Sequence, residues 1–362
     1  MRLESLYLDR DLCGGGVLSG FILFSVYAAA PVFVAFMDRQ RLALHLQLGV
    51  LCLVLPTQAC SPQRRSGEPS RLTSGNYEFT FRHGGRRRSY LVHVPPGAGA
   101  APLPVVVAFH GGGGNAPGFQ RYAELDRVAD RERFLVVYPN GTGVWRDRLL
   151  TWNAGDACCG FARTNEINDV GFATTLIGDL ERRIGIDRQR IYATGHSNGA
   201  ILAHRLAAER SGIFAAVVAV AGALDLEAFA PTRAVPVMQI HSVHDRRALY
   251  AGGLGPPFPG TNVRVQHQPV EAGLNRWITA NGCSTRADTA DMKSDLGQTA
   301  TLLVWRGCRD GAQVAHWKLT GSGHGWPGEA PPPGGEAIAG PQTRLIRAAD
   351  EVWAFASRFR LP

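Results

Sequence analysis

The chain contains very little lysine. Lys293 and Lys318 are its only two lysines among 38 basic residues, so its formal net charge of +8 depends almost entirely on arginine. The arginines are scattered, their main cluster, Arg86-Arg87-Arg88, is short, and no nucleic-acid-binding motif accompanies it. The basic charge therefore does not predict nucleic-acid binding, although a basic face suits acidic polysaccharides or the cell envelope.

Metal-binding motifs are also missing from the sequence. Its seven cysteines and eleven histidines form no C-x-x-C or H-E-x-x-H pattern, and no internal repeat is present. We therefore expect neither a metal site nor a cofactor. Hydrophobic residues make up 45% of the chain and charged residues 19%, which is typical of a folded domain.

One short segment is the most informative about function. Gly195-x-Ser197-x-Gly199 lies where an apolar strand pattern ends and a helical pattern begins. This is typical of the nucleophile elbow of an α/β hydrolase, in which a serine occupies a strained turn between small residues. A lone G-x-S-x-G motif among 43 glycines is weak evidence, so the assignment of Ser197 as a nucleophile depends on other segments of the chain.

A second segment has the composition of an oxyanion loop. The apolar run 104–109 predicts a buried parallel strand, and it leads directly into His110-Gly-Gly-Gly-Gly-Asn115. Glycines let backbone N–H groups turn toward a substrate. We predict an oxyanion hole formed by Gly111, Gly112 and Asn198.

The acid and the base of a catalytic triad follow later in the chain. Asp245 comes just after the apolar run 235–240, which predicts a strand. Asp225 is a competitor, but it follows the strand immediately after the elbow helix, one strand too early for the usual arrangement. His324, which glycines flank in a late loop, is the predicted base. The order Ser197, Asp245, His324 is that of α/β hydrolases.

Jointly, these motifs make the chain similar to the secreted esterases that include poly(3-hydroxybutyrate) depolymerases, feruloyl esterases and acetylxylan esterases, together with their bacterial lipoprotein-like relatives. The resemblance runs from about Tyr90 to Phe355. It implies an α/β-hydrolase fold, with a mostly parallel central sheet and helices on both faces. The motifs that carry it are His110-Gly-Gly-Gly-Gly-Asn115, Tyr138-Pro-Asn-Gly141, Trp152 with Cys158-Cys159-Gly160, Asn168-Asp-Val-Gly-Phe172, Ile186-Asp187, Arg190-Ile-Tyr-Ala-Thr-Gly-His-Ser-Asn-Gly199 and Gly323-His-Gly-Trp-Pro327.

Three functions fit these residues. The first is a secreted serine carboxylesterase that hydrolyses poly- or oligo-3-hydroxybutyrate, or feruloyl or acetyl esters of polysaccharides, through an acyl-enzyme. The second is a cell-envelope acyltransferase that uses the same triad, and the third is a non-catalytic envelope binding protein. The intact triad argues against the third. The expected partner is a small or oligomeric ester, and Trp152 and Trp326 are candidate substrate contacts for which a packing role is equally open.

The N-terminal region leaves two interpretations open. Residues 13–37 carry no charge and are long enough to cross a bilayer, so residues 1–36 form either an extension or a membrane segment. In the second interpretation, which we favour, translation starts at Met37, and residues 37–60 are a signal peptide that ends at a lipidated or unmodified Cys60. Residues 61–75 then form a linker and residues 76–362 the catalytic domain.

Export to a secreted, periplasmic or cell-envelope location accounts for the cysteines that remain. Four cysteines lie beyond residue 60, an even number suited to an oxidising compartment. Cys283 and Cys308 flank a hairpin-like insertion, and we expect them to form a disulfide. Two states stay open for the adjacent Cys158 and Cys159, a vicinal disulfide and free thiols.

Overall fold

The computed structural model describes five stretches of the chain, namely residues 72–99, 101–156, 158–258, 262–293 and 297–362. The predicted membrane segment, signal peptide and lipidation site lie outside the described residues, as does most of the linker. No helix within the described stretches is both long enough and apolar enough to span a bilayer.

The described residues contain twelve strands, most of which belong to one sheet. The strands are β1 (Gly75–His83), β2 (Arg86–Val94), β3 (Leu103–Phe109), β4 (Leu135–Pro139), β5 (Ile186–His196), β6 (Ala216–Val220), β7 (Val237–Ser242), β8 (Gly253–Leu254), β9 (Gln266–His267), β10 (Ala287–Lys293), β11 (Thr299–Trp305) and β12 (Val314–Thr320).

Ten of these strands form the main sheet, in the order β1-β2-β4-β3-β5-β6-β7-β12-β11-β10, and β8 pairs with β9 separately. The six central strands from β4 to β12 run parallel to one another. Antiparallel strands complete both edges. Because the carboxyl ends of the central strands meet at one edge of the sheet, the loops that follow β3, β5, β7 and β12 are brought together there.

Eight α-helices lie between or after these strands within the described residues. They are α1 (Ala116–Ala123), α2 (Leu125–Glu132), α3 (Gly160–Thr164), α4 (Asp169–Glu181), α5 (Asn198–Glu209), α6 (Val270–Asn281), α7 (Glu336–Ala339) and α8 (Ala348–Ala356).

The helices cover both faces of the sheet, because the central strands are apolar on both sides. All seven residues of β3 are buried, and alternate residues of that strand belong to two separate hydrophobic cores. The core that contains Val105 and Val107 packs against α4, α5 and α6. The core that contains Val106 packs against α1, α2 and α8. The predicted α/β-hydrolase architecture, with helices on both faces of a mostly parallel sheet, is confirmed.

One predicted helix is divided in two. The pattern over residues 119–133 predicts a single helix, but Glu124 has a φ of 53° and separates α1 from α2. Tertiary hydrogen bonds compensate for the break, because Trp326 donates its backbone N–H to the hydroxyl of Tyr122 and its indole N–H to the carbonyl of Ala123. A local pattern does not reveal such long-range partners.

The far C-terminal edge of the sheet is an antiparallel hairpin made of β10 and β11. Cys283, just after α6, forms a disulfide with Cys308, just after β11, so the bridge closes the base of this hairpin. The structure therefore contains the pair that the sequence predicts. Cys158 and Cys159 form a vicinal disulfide, one of the two states that the sequence left open.

Candidate active site

Ser197 occupies the turn between a strand and a helix, because β5 ends directly before it and α5 begins directly after it. Its φ of 55° and ψ of −119° lie in a region that non-glycine residues rarely adopt. A Cβ atom on Gly195 would lie 2.4 Å from the carbonyl carbon of Gly199, and one on Gly199 would lie 2.2 Å from the carbonyl oxygen of Phe109. Both glycines of the motif are therefore required by close backbone packing.

The glycine-rich loop after β3 lies against this turn. A Cβ atom on Gly111 would lie 3.5 Å from the Cβ of Ser197, and one on Gly112 would lie 3.6 Å from the Cβ of Asn198. Asn198 is the first residue of α5, and the first N–H groups of a helix have no partner within it. The structure thus brings the three predicted oxyanion residues beside Ser197.

His110 fixes the conformation of this loop. Its Nδ1–H donates to the carbonyl of Gly111 at 2.8 Å, and its Nε2 accepts the backbone N–H of Gly141 at 3.0 Å. Burial lowers the pKa of His110 to about 4, so the imidazole is neutral at pH 7. A neutral ring is also the form that has one donor and one acceptor nitrogen, as these two bonds require.

Ser197, His324 and Asp245 form one hydrogen-bonded chain. The Ser197 hydroxyl donates to Nε2 of His324 at 2.9 Å, and Nδ1–H of His324 donates to Oδ2 of Asp245 at 2.7 Å. Asp245 and His324 are both buried. The carboxylate that His324 contacts is therefore that of Asp245. Asp225, the competing acid, lies against another loop, where a Cβ atom on Gly155 would approach its carboxylate oxygen to 2.8 Å.

The environment of Asp245 keeps its carboxylate ionised. Burial alone would raise the pKa of this group, but the neighbouring His324 and hydrogen bonds from His241 and His324 hold the pKa of Asp245 well below its usual range. Its second oxygen accepts the backbone N–H groups of Arg247 and Ala248 at 2.7 and 2.9 Å. Four donors therefore fix the orientation of this carboxylate.

A buried row of polar side chains extends from Asp245 into the core. The indole N–H of Trp277 donates to His204, whose other nitrogen donates to the side-chain oxygen of Gln239. The Gln239 amide donates to Nδ1 of His241 at 3.2 Å, and Nε2 of His241 lies 3.2 Å from the Asp245 carboxylate and 2.9 Å from a backbone carbonyl. Because indole can only donate and carboxylate can only accept, the direction of every bond between them is fixed.

Glycines and loop-to-loop bonds hold the late loop that carries His324. A Cβ atom on Gly323 would lie 2.3 Å from the carbonyl of Ala339, so this position is restricted to glycine. Ser242, at the end of β7, donates to the carbonyl of Ser322 at 2.5 Å. The loops that carry the acid and the base are thereby tied to each other.

The two predicted substrate contacts lie beneath the site rather than in it. Trp152 and Trp326 are each fully buried. The Trp152 indole donates to the carbonyl of His110 at 2.8 Å, and its ring lies edge-on to Phe109. Trp326 binds the end of α1, as described above. The prediction that these indoles contact substrate is therefore revised, and both side chains support the loops from below.

The cleft that contains Ser197 is also lined by residues that the sequence did not predict to be part of the site. Arg247 and His267 lie on its wall, and Cys158 and Cys159 form part of its lining. The side-chain amide of Asn198 lies 3.4 Å from Sγ of Cys158. These residues belong to separate segments without a shared motif, so only the fold brings them together.

The arrangement defines a carboxylic ester hydrolase of the α/β-hydrolase fold, and comparison with known proteins agrees with it. The family described as esterase PHB depolymerase matches residues 88–275, more than half of the chain. The protein named "Putative esterase NocK" of Nocardia uniformis subsp. tsuyamanensis is 30% identical over 283 residues, which are 74% of this chain and 78% of that protein. The chain therefore belongs to the esterase PHB depolymerase family.

More distant relatives carry different substrate names. The bifunctional acetylxylan esterase/xylanase XynS20E of Neocallimastix patriciarum is 25% identical over 64% of this chain, but the chain spans only 30% of its length. A solved acetyl xylan esterase from Aspergillus awamori superposes with a TM-score of 0.50 at 15% identity, over 73% of this chain and 98% of that one. At this identity the structural match shows the fold alone.

Proposed function

We propose that the protein is a serine carboxylesterase that cleaves its substrate through an acyl-enzyme on Ser197. The observation that carries this proposal is the continuous hydrogen-bonded chain from the Ser197 hydroxyl through His324 to Asp245. A nucleophile, a base and an orienting acid in hydrogen-bond contact are the minimum arrangement for this chemistry.

In the acylation step, Nε2 of His324 accepts the hydroxyl proton while the Ser197 oxygen forms a bond to the ester carbonyl carbon. The carbonyl oxygen becomes an oxyanion, and we propose that the backbone N–H groups of Asn198, Gly111 and Gly112, which lie beside Ser197, donate to it. When the intermediate collapses, the ester bond breaks and His324 gives the proton to the departing alcohol. Asp245 stabilises the charged imidazole throughout.

Deacylation reverses these roles with water as the nucleophile. His324 takes a proton from water, the resulting hydroxide attacks the acyl carbon, and the proton returns to the Ser197 oxygen as the acid product leaves. Ser197 lies at a partly exposed position in an open cleft. Access of water to the acyl-enzyme favours hydrolysis over the alternative of acyl transfer, which needs a site that excludes water.

The proposed substrates are hydroxyalkanoate oligomers or the feruloyl and acetyl esters of polysaccharides. These are the substrate classes named for relatives, among them an acetylxylan esterase/xylanase, a feruloyl esterase B of Piromyces equi and a poly(3-hydroxyalkanoate) depolymerase C of Paucimonas lemoignei. We also propose that the protein acts outside the cytoplasm, because disulfides such as Cys283–Cys308 persist in oxidising compartments.

The test combines active-site labelling with a substrate panel. A serine-directed phosphonate is expected to label Ser197 stoichiometrically, and Ser197→Ala is expected to lose at least about 10³-fold in kcat. The control Ser284→Ala changes an exposed serine beside the hairpin and is expected to keep full activity. Rates on hydroxybutyrate oligomers, methyl ferulate and acetylated xylan then rank the substrates. Labelling at another residue, or full activity of Ser197→Ala, would exclude the proposed mechanism.

A further inference from the structure

Arg247 occupies a defined place on the wall of the Ser197 cleft. Its backbone N–H donates to Asp245 at 2.7 Å, so the start of this side chain is fixed relative to the hydrogen-bonded chain that ends at Ser197. The side chain lines the cleft together with Phe258 and His267. Arg247 and Ser197 therefore line the same cleft.

The guanidinium of Arg247 is held in place but not neutralised. One nitrogen donates to the carbonyl of Pro257 at 3.1 Å, and the guanidinium carbon lies 5.7 Å from the centre of the Phe258 ring. Among the described residues, no Asp or Glu oxygen lies within 4 Å of its nitrogens. A guanidinium has five N–H donors, so most of those on Arg247 are left for another acceptor.

Phe258 connects Arg247 to the predicted oxyanion hole. A Cβ atom on Gly112 would lie 3.9 Å from Cε1 of Phe258, whose ring also faces the guanidinium. One aromatic ring thus lies between the cation and the loop that is predicted to bind the ester carbonyl oxygen. This arrangement suits a negative group that the substrate carries a few bonds from its ester.

The charge of the surrounding cleft has one sign. Among the described residues that line the Ser197 cleft, the titratable side chains are Arg247, His267 and His324, and none is a carboxylate. Burial lowers the pKa of His267 to about 4, so this ring is neutral at pH 7 and Arg247 supplies the fixed positive charge. The carboxylate of Asp245 lies behind His324, where four hydrogen bonds already occupy it.

We propose that Arg247 binds a carboxylate that the substrate carries a few bonds from its scissile ester, and that the enzyme therefore prefers acidic esters to neutral esters of the same size. Because this preference concerns the ester that Ser197 cleaves, it rests on the proposed function. Arginine binds a carboxylate through two parallel hydrogen bonds, a geometry that lysine does not reproduce. Linear hydroxyacid dimers have such a carboxylate at one end, whereas acetyl and feruloyl esters of neutral sugars do not.

The test uses the linear 3-hydroxybutyrate dimer and its primary amide as the two probes, because the amide removes the negative charge without adding a second ester. We expect the wild-type enzyme to have the higher kcat/KM on the free acid, and Arg247→Gln to lower the ratio of the two kcat/KM values about tenfold, mainly through KM. Arg247→Lys should retain part of the preference. High salt should weaken it, because Arg247 is only partly buried and counterions reach its charge.

Arg246→Gln is the matched control, because it removes the same charge from an exposed neighbour that does not line the Ser197 cleft. Its substrate ratio is expected to match that of the wild-type enzyme. An equal loss on both probes in Arg247→Gln, with a lower unfolding temperature, would mean that Arg247 only holds the cleft wall, and would overturn the proposal. An equal loss of the ratio in Arg246→Gln would also overturn it. Failure of the phosphonate to label Ser197 would instead remove the proposed function itself.

Discussion

The central parallel strands and the C-terminal hairpin differ in how they are stabilised. All residues of β3, β4, β6 and β7 are buried, and a row of hydrogen-bonded side chains crosses this region to Asp245. The hairpin is far more exposed, since β11 contains a single fully buried residue, and a disulfide closes its base. Packing and polar contacts thus hold the part that carries the candidate site, whereas a covalent bridge holds the part that does not.

The largest effect is expected when Asp245, the proposed catalytic acid of the central region, is replaced. Asp245→Asn should lower kcat by about 10²- to 10⁴-fold with the fold intact, because an amide can donate to His324 and so favours the wrong tautomer of its imidazole. The matched change Asp225→Asn should leave kcat within a few fold. Ester hydrolysis assays with circular dichroism of both variants check this, and the reverse ranking would assign the acid to Asp225.

The second prediction concerns low pH, which should lower the stability of the central parallel strands but not that of the C-terminal hairpin. Burial lowers the pKa of His110 and His204 to about 4 and that of His196 to about 3. In the unfolded chain a histidine has a pKa near 6.5, so below that pH the unfolded state binds more protons and stability falls as pH falls. The loss should amount to roughly 1 kcal/mol or more per histidine between about pH 6.5 and pH 4.

Thermal unfolding midpoints measured from pH 7.5 to pH 4 at constant ionic strength test this effect. Hydrogen exchange compares the two regions. Because the sequence contains no histidine within β10 or β11, peptides from the hairpin should not be the first to lose protection of their amide hydrogens as the pH falls. A midpoint that stays constant down to pH 4 would contradict the prediction.

The candidate site residues of the central region could be predicted from the sequence, because each of them is marked by its immediate neighbours in the chain. A serine between two small residues at a strand-to-helix turn, a glycine run after a buried strand and a histidine between glycines all show up in a few adjacent residues. Arg247 and His267 have no such signal, since their place in the cleft depends on how distant loops fold together. Nothing near Trp326 in the sequence indicates that it is buried, because its two hydrogen-bond partners, the Tyr122 hydroxyl and the Ala123 carbonyl, lie about 200 residues away.

The third prediction removes the covalent bridge of the hairpin. Cys283→Ser should lower the free energy of unfolding by about 3 kcal/mol in the chain-entropy account of disulfides. Ester hydrolysis at a temperature where the variant stays folded should be unchanged, because the hairpin carries none of the candidate site residues. Cys308→Ser should have the same effect, and the double variant should be no worse than either single one.

Peptide mapping of the non-reduced protein gives the direct check on this bridge. It should recover Cys283 joined to Cys308. Free thiols at both positions, or Cys283 joined to Cys158 or Cys159, would show that the hairpin is held in another way.

The smallest expected effect tests whether the row of buried polar side chains in the central region positions the candidate site. His241 gives Asp245 a donor in addition to His324 and two backbone N–H groups. His241→Ala removes one bond of four, so we expect kcat to fall only about five- to tenfold. The remaining carboxylate charge should then attract the charged imidazole more strongly, and the acidic limb of the kcat/KM profile should move to higher pH.

His241→Gln, whose amide can both donate and accept, should recover part of the loss. A lower unfolding temperature with unchanged kcat and an unchanged pH profile would show that His241 only fills the core.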